Sequence, residues 1–247
     1  MKFKFILHFS IRIIIAFIFF TAVGTLLHEL GHIAAAKYFG YKTTLHYGSM
    51  NYTYAEKEND LIYIEYQKLF NENIQAIKNG EYFNEQEKYL KSVAQLKEKY
   101  PYPKPNTFWI VLGGPIQTIM MSFLGLFILF YRRSKTKQYF VILDWLGVFL
   151  ALFILREVFN FVMAIYSSFI YGKINFYGDE YRISRMLGYN EWFIPSITFL
   201  IGVGISIYVI FKVIPIKYRF TFIISGLIGG VSGFVIWFGF LGKLLLP

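Results

Sequence analysis

The chain has 247 residues, of which 56% are hydrophobic, 21% aromatic and 16% charged. Several apolar runs reach the length that a helix needs to cross a bilayer, so this composition predicts a polytopic membrane protein. The absence of cysteine excludes disulfides and thiolate metal sites, which leaves His, Asp and Glu as candidate ligands. The formal charge of +10 fits contact with anionic lipid headgroups and is not interpreted as nucleic-acid binding.

The first apolar run begins near the N-terminus, where Lys2 and Lys4 precede a stretch that could belong to a signal peptide. The run does not stop at residue 24 but continues to Ala36, which is long enough to span the bilayer. We therefore interpret it as an uncleaved first membrane span. Its N-terminal end defines side A of the membrane, and its other end defines side B.

Residues 13–36 hold only three ionisable side chains, which are His28, Glu29 and His32. Histidines four residues apart project from one face of a helix, so that both can bind one Zn²⁺. A glutamate next to the first histidine can deprotonate a water at such a site, as in H-E-x-x-H metalloproteases. Each ionisable residue at mid-bilayer costs about 2.5–3.5 kcal/mol on insertion scales, and a bound metal would compensate that cost.

The segment after the first span is predicted to be mixed in structure. Residues 41–54 are β-branched and aromatic with a break at Gly48, which predicts a short β-hairpin. His46 in this hairpin is interpreted as a surface histidine in preference to a ligand. Residues 55–106 are polar, with apolar residues at helical spacing, and predict a helical hairpin on side B. This insert is either a solvated cap or a lid over the site.

Residues 107–131 and 138–171 form the second and third predicted spans. Ionisable residues inside a span indicate a functional site, and Asp144 is the first of them in the third span. It enters the membrane from side A, and at 1.5 Å of rise per residue it lies about 20 Å from the depth of the histidines. We therefore do not expect Asp144 to bind the metal.

Three further polar residues of the third span lie near the depth of the histidines: Arg156, Glu157 and Asn160. Glu157 and Asn160 are expected to share a helix face, whereas Arg156 is expected to point elsewhere. One interpretation is a buried polar network that orients neighbouring helices. The other is that Glu157 and Asn160 support the metal-binding histidines from behind, as metal ligands usually require.

Residues 172–191 return on side B, where Asp179 precedes a short helical stretch. Residues 192–212 and 218–246 complete a set of about five transmembrane helices. Four glycines of the last span form small-x-x-x-small patterns, which favour close helix packing or a homo-oligomer. They are Gly226, Gly229, Gly230 and Gly233.

The predicted fold is therefore an all-α polytopic membrane protein, with a short β-hairpin and a polar helical insert after the first span. We divide the chain into four parts. They are the first span with its metal motif (1–40), the hairpin and insert (41–106), the second and third spans with the Asp179 loop (107–191), and the two C-terminal spans (192–247).

The motif His28-Glu29-Leu30-Gly31-His32 in an apolar helix resembles the site-2 protease family of intramembrane zinc metalloproteases. Two more stretches are similar to motifs of that family and occur in the same order. The family's Gly-Pro motif in the next membrane helix is similar to Gly113-Gly114-Pro115-Ile116-Gln117-Thr118. The family's segment that carries a third, aspartate zinc ligand is similar to Asp179-Glu180-Tyr181-Arg182.

The resemblance implies that His28, His32 and Asp179 bind Zn²⁺ and that Glu29 is catalytic. It also implies that Gly113-Gly114-Pro115 is a broken segment that receives the substrate, whereas the residues alone also fit helix packing through small residues. The substrate would be a transmembrane or signal-peptide segment, cleaved in the cytoplasmic membrane of a bacterium. Asn160 would help to stabilise the oxyanion.

The chain departs from the family pattern at several positions. Glycine usually follows the aspartate where Glu180 stands, asparagine is frequent at Thr118, and Asn175 is closer to Asp179 than the family's asparagine. Glu157 remains an alternative to Asp179 as the third zinc ligand, because a glutamate carboxylate can also bind zinc.

Two other functions stay open, and so does the orientation. One is a metal-binding membrane protein without protease activity, such as a carrier or scaffold. The other is a membrane metalloprotease of a different class that uses a glutamate ligand and acts on soluble or lipidated peptides. Basic residues in the short loops of side A predict that this side is cytoplasmic, whereas the resembled family usually has the opposite orientation.

Overall fold

The computed structural model describes residues 5–101, 104–172 and 178–246. Lys2, Lys4 and Asn175, which entered the sequence-based predictions, lie outside these residues. Within the described residues the chain is helical apart from a two-stranded hairpin, and the predicted all-α polytopic membrane fold is confirmed.

Five helical segments of the described chain are long and apolar enough to cross a membrane. These segments are Leu7–Tyr38, Thr107–Tyr131, Ile142–Ile170, Phe193–Val213 and Ile216–Leu245. The corresponding helices are α1 (Leu7–Tyr38), α5 (Thr107–Tyr131), α6 (Ile142–Ala151) with α7 (Leu155–Tyr171), α9 (Phe193–Tyr208), and α10 (Ile216–Ile236) with the short α11 (Gly242–Leu245). Between α1 and α5 lie β1 (Tyr41–Leu45), β2 (Met50–Tyr54), α2 (Leu61–Glu72), α3 (Ile74–Asn79) and α4 (Gln86–Lys99), and α8 (Asp179–Met186) follows α7.

The first span is long enough to place the metal motif near side B. Helix α1 has 32 residues, so its length of about 48 Å exceeds the hydrocarbon core of about 30 Å. His28 and His32 lie in its last three turns, close to the hairpin that follows. The motif therefore lies towards side B, within a helix that continues past it.

Helix α1 packs between α5 and α10 through glycines. A Cβ atom on Gly113 of α5 would lie 2.5 Å from the carbonyl oxygen of Gly31 in α1. A Cβ atom on Gly229 of α10 would lie 2.8 Å from the carbonyl oxygen of Ile14. These contacts require glycine because any side chain would force the helix backbones apart. The small-residue pattern of the last span therefore serves packing within the chain.

The third span is interrupted by a 3₁₀ turn at Leu152–Ile154, between α6 and α7. The hydroxyl of Ser122 in α5 donates a hydrogen bond to the carbonyl of Ala151 at 2.6 Å and accepts one from the amide of Ile154 at 3.3 Å. Backbone polar groups inside a membrane need such partners, since water is absent there. Ser122 thus stabilises the interruption from the neighbouring helix.

The β-hairpin is antiparallel, with Tyr41 opposite Tyr54 and Leu45 opposite Met50. Its turn is held by the end of the last span, because the amide of Tyr47 bonds to the carbonyl of Leu246 at 3.1 Å. The hairpin predicted for residues 41–54 is therefore present at side B, next to the metal motif.

The first and last helices of the insert are joined by polar contacts at Asp60. This carboxylate caps α2 by accepting from the amide of Ile62, and it binds the Lys99 ammonium and the Tyr100 hydroxyl, each at 2.7 Å. Hydrogen bonds from Lys99 and Tyr100 lower the pKa of Asp60 to about 2. The two ends of the insert are therefore held together by charge-assisted contacts, and the ammonium of Lys104 donates a hydrogen bond to the carbonyl of Tyr52 in the hairpin at 2.6 Å.

Candidate metal centre

Three side chains converge at the side-B end of α1. The Nε2 atoms of His28 and His32 lie 3.2 Å apart, and the Asp179 Oδ2 atom lies 3.0 Å from the first and 3.1 Å from the second. His28 is 1% exposed, and the side chain of Asp179 is 16% exposed. The two histidines come from consecutive turns of one helix, and the carboxylate comes from the first residue of α8.

The other ring nitrogens of both histidines are held by α5. Nδ1 of His28 lies 2.9 Å from the hydroxyl of Thr118, and Nδ1 of His32 lies 2.7 Å from the carbonyl oxygen of Ile110. A carbonyl oxygen can only accept, so Nδ1 of His32 carries the proton. A neutral His32 then presents the lone pair of Nε2 to the triangle, which is the form that binds metals.

The triangle has the chemistry and the size of a metal site. Lone pairs that face one another need a cation between them, and a proton bridges two atoms at a time whereas a metal ion can contact all three. Tetrahedral zinc with bonds of about 2.0–2.1 Å separates its ligand atoms by about 3.3 Å, close to the observed edges. Two histidines and one carboxylate are also an established zinc ligand set.

The space in front of the two imidazoles exists because residue 114 is glycine. A Cβ atom on Gly114 would lie 2.5 Å from Nε2 of His28 and closer still to Nε2 of His32. These are distances at which an ion would bind and a methyl group would clash. Gly114 therefore leaves a cradle that a larger residue would fill.

Glu29 is the other carboxylate near the histidines. One donor atom from each of His28, Glu29 and His32 can be chosen so that all three lie within 4.8 Å of one another. That grouping is looser than the triangle with Asp179, so Asp179 is the better placed third donor. Glu29 is left beside the site with its carboxylate free for another role.

The two histidines affect the pKa of Asp179. Burial opposes its ionisation, but the two imidazoles that face it outweigh that effect and hold the pKa of Asp179 below its usual range. The Arg182 guanidinium, 3.6 Å from Oδ1, contributes in the same direction on geometric grounds. An ionised oxygen is the form that a metal requires.

The triangle opens into a cavity of about 1100 Å³ between α1, α7 and α10. Most of its lining is apolar, and the turn of the hairpin closes part of side B. Residues from the different walls include Phe17, Met50, Phe153, Asn160, Val231 and Phe238. None of the described residues between 55 and 106 lines this cavity, which favours a cap beside the site over a lid above it.

The expected face of α7 is wrong. Arg156 and Asn160, four residues apart, line the cavity, although Arg156 was expected to point elsewhere. Glu157 is 3% exposed, lies next to Glu180 of α8, and makes no side-chain hydrogen bond within the described residues. Glu157 lies three residues before Asn160 and Arg156 lies four before it, and either spacing can place two side chains on one helix face. The rotation of α7 in its packing against α8 and α9 decides which of the two residues faces the cavity.

The expected break in the second span is also wrong. Helix α5 runs without interruption through Gly113, Gly114 and Pro115, and none of these three residues lines the cavity. The glycines face α1 and the histidines, and proline costs α5 one backbone hydrogen bond without ending it. Binding of substrate by this stretch stays a prediction.

Two contributors to the site were missed by sequence reasoning. Thr118 contacts His28, and it lies four residues after Gly114 on the same face of α5, which was a usable signal. Arg156 lies four residues before Asn160, and its charge inside a span was a signal of the same kind.

Asp144 does not take part in the site, as expected from its depth. Its oxygens are bound by Arg132, Ser134, Lys137 and the amide of Val141 at the opposite end of the third span.

No family model, curated protein or solved structure matches this chain. The likeness to the site-2 protease family therefore rests on the three motifs quoted above. The function is argued from the geometry of the site.

Proposed function

We propose that the protein is an intramembrane zinc metalloprotease that hydrolyses a peptide bond in or near a transmembrane or signal-peptide segment. The observation that carries the proposal is the triangle of His28, His32 and Asp179 beside Glu29. It lies in a membrane protein, at the end of a largely apolar cavity. Buried ionisable groups are costly at this depth, so a chemical role is favoured over a structural one.

In this proposal His28, His32 and Asp179 hold the zinc ion, and Gly114 leaves room for it. Bound zinc supplies Lewis acidity, which makes water a stronger acid and a carbonyl carbon more electrophilic. Thr118 and the Ile110 carbonyl fix the orientation of the two imidazoles. The ring orientation is thereby set before any metal arrives.

Glu29 is the proposed general base and general acid. Its carboxylate takes a proton from the attacking water as the water oxygen bonds to the carbonyl carbon. It then gives that proton to the leaving nitrogen as the C–N bond breaks, so the products are a carboxyl group and an amine. The apolar cavity fits a hydrophobic substrate that reaches the site from the membrane. The proposed location of the protein is a bacterial cytoplasmic membrane.

The proposal is tested with Glu29→Gln, which keeps the size of the side chain and removes the base. We expect the zinc content of the purified variant to equal that of wild type. Membrane-protein fragments that wild-type cells produce should be absent from variant cells, as read by mass spectrometry of new peptide termini. Loss of one proton-transfer group typically lowers the rate by about 10²–10⁴-fold.

The matched control is Glu72→Gln, which makes the same change on the exposed end of α2 and should leave the termini unchanged. Equal zinc with identical termini in wild type and Glu29→Gln would contradict proteolysis and favour a carrier or scaffold. Loss of zinc in Glu157→Gln but not in Asp179→Asn would instead favour a metalloprotease with a glutamate ligand.

A further inference from the structure

An arginine side chain faces the cavity beside the metal triangle. Arg156 of α7 lines the cavity and is 28% exposed, and its Nη2 atom lies 3.7 Å from Oε1 of Glu29. His28, His32 and Asp179 line the same cavity as Arg156. An arginine inside a span is expensive, which calls for an explanation.

Arg156 has unused hydrogen-bonding capacity within the described residues. A guanidinium has five N–H donors, and Nε of Arg156 is buried without a hydrogen bond within the described residues. The 3.7 Å contact with Glu29 is longer than the 2.7–2.9 Å of a charge-assisted hydrogen bond. Glu157, the next residue, is buried with unpartnered oxygens, yet it forms no ion pair with Arg156 among the described contacts.

These contacts do not describe a structural ion pair. An arginine that served to neutralise a buried carboxylate would bind it in the two-bond geometry that this pair favours. Arg156 instead keeps its donors towards a cavity that also contains Glu29 and the metal triangle. Within the described residues, Arg156 thus has a hydrogen-bond donor for which these residues supply no acceptor.

We propose that Arg156 is a catalytic residue that donates hydrogen bonds to the carbonyl oxygen of the scissile peptide and stabilises the oxyanion. The assignment rests on the proposed function. When the water oxygen bonds to the carbonyl carbon, the π electrons move to the carbonyl oxygen, and the negative charge forms beside the guanidinium. When the C–N bond breaks, those electrons restore the carbonyl, and the proton held by Glu29 passes to the nitrogen.

Arg156 is better suited to this role than Asn160, which shares its helix face. Charged donors form hydrogen bonds that are roughly twice as strong as neutral ones, and an oxyanion is where that difference counts most. Formation of the oxyanion would also coincide with protonation of Glu29, which ends the attraction between its carboxylate and the guanidinium of Arg156. The guanidinium would thus be freed at the step that needs it.

The assignment is tested by inhibitor binding, which does not require the natural substrate to be known. A phosphinic dipeptide with apolar side chains presents a tetrahedral, anionic centre that imitates the oxyanion. A peptide hydroxamate binds through the metal with a planar group and lacks that centre. Affinities of both are measured with purified, zinc-loaded wild type, Arg156→Gln, Arg156→Lys and Arg133→Gln, together with zinc content and thermal unfolding.

For Arg156→Gln we expect the phosphinic affinity to fall by about 10²-fold, as when one oxyanion donor is removed, with hydroxamate affinity changed by less than about threefold. Zinc content and melting temperature should match wild type. Arg156→Lys should retain part of the phosphinic affinity, since it keeps the charge and loses the fork geometry. Arg133→Gln removes an exposed arginine at the opposite end of the bundle, away from the cavity, and should change neither affinity.

Two outcomes would overturn the assignment. One is equal phosphinic affinity in wild type and Arg156→Gln, including a failure of both to bind. The other is a parallel loss of both inhibitors or of zinc, which would indicate a structural role. Failure of the proposed function would be seen in a different measurement, mass spectrometry of peptide termini, as identical termini in wild type and Glu29→Gln.

Discussion

At the residue scale, the room for the metal depends on the missing side chain of Gly114. The nearest atoms to a Cβ at this position are the Nε2 nitrogens that would bind the ion. His28 and His32 cannot retreat easily, because Thr118 and the Ile110 carbonyl hold their opposite nitrogens. A methyl group would therefore compete directly with the ion.

We predict that Gly114→Ala abolishes zinc binding while leaving a folded protein. The added methyl group occupies the cradle, and the metal affinity should fall by more than the 10–100-fold that is typical for loss of a supporting hydrogen bond. The measurement is the zinc content of the purified variant by elemental mass spectrometry.

The control for this variant is Gly204→Ala in α9, where nothing lies within 4 Å of the added Cβ. It should bind zinc as wild type does. Full zinc content in Gly114→Ala would contradict the position assigned to the ion.

The central motif could be predicted from the sequence, because His28 and His32 are neighbours on any helix. The role of Thr118 could not, since it depends on how α5 faces α1. The same holds for Arg156, whose direction is fixed by the rotation of α7 in its packing. Asp179 was suggested by resemblance, and its approach to the histidines depends on where α8 begins.

At the element scale, the packing of α10 on α1 depends on individual glycines of one helix. Gly229 lies against the backbone of Ile14, and a Cβ atom would come within 2.9 Å of the Ile14 Cα. Gly230, one residue later, has nothing within 4 Å of the same added atom. The two neighbours therefore provide a matched pair of positions.

We predict that Gly229→Ala lowers the free energy of unfolding by about 1–3 kcal/mol, the usual cost of overpacking. The backbones of α1 and α10 must separate to admit the methyl group. The measurement is thermal unfolding of the purified protein in one detergent. Gly230→Ala should be neutral or gain up to about 1 kcal/mol in helix propensity, and equal effects at both positions would contradict this interface.

The five spans could be predicted because their apolar runs are long and bounded by charges. The partner of a glycine face could not, since the same spacing serves packing within a chain and between chains. The continuity of α5 through Pro115 and the turn at Leu152–Ile154 depend on neighbouring helices, as the contact of Ser122 illustrates.

At the scale of the whole molecule, charge is distributed unevenly between the two ends of the bundle. At side A, the two loops 132–141 and 214–215, with the adjoining helix ends, expose basic side chains. The buried Asp144 is already paired with Arg132 and Lys137. The exposed members include Arg133, Lys135, Lys212 and Lys217. The positive-inside rule predicts that this end faces the cytoplasm.

We therefore predict that side B, with the metal centre and the insert, faces away from the cytoplasm. The chain has no cysteine, so single-cysteine variants can be labelled without background. Lys78→Cys in the insert should react with a membrane-impermeant maleimide in intact cells, whereas Lys135→Cys should react only after permeabilisation. The reverse pattern would contradict the charge-based orientation and agree with that of the resembled family.

The direct backbone contact between Gly31 and Gly113 has a mechanical consequence. The helix that carries the histidines and the helix that orients them touch without intervening side chains, so they move as one body when the bilayer thins or thickens around them. Mismatch with the lipid is then absorbed by tilting of the pair as a unit. The ion's surroundings on these two helices should consequently keep the same shape in membranes of different thickness.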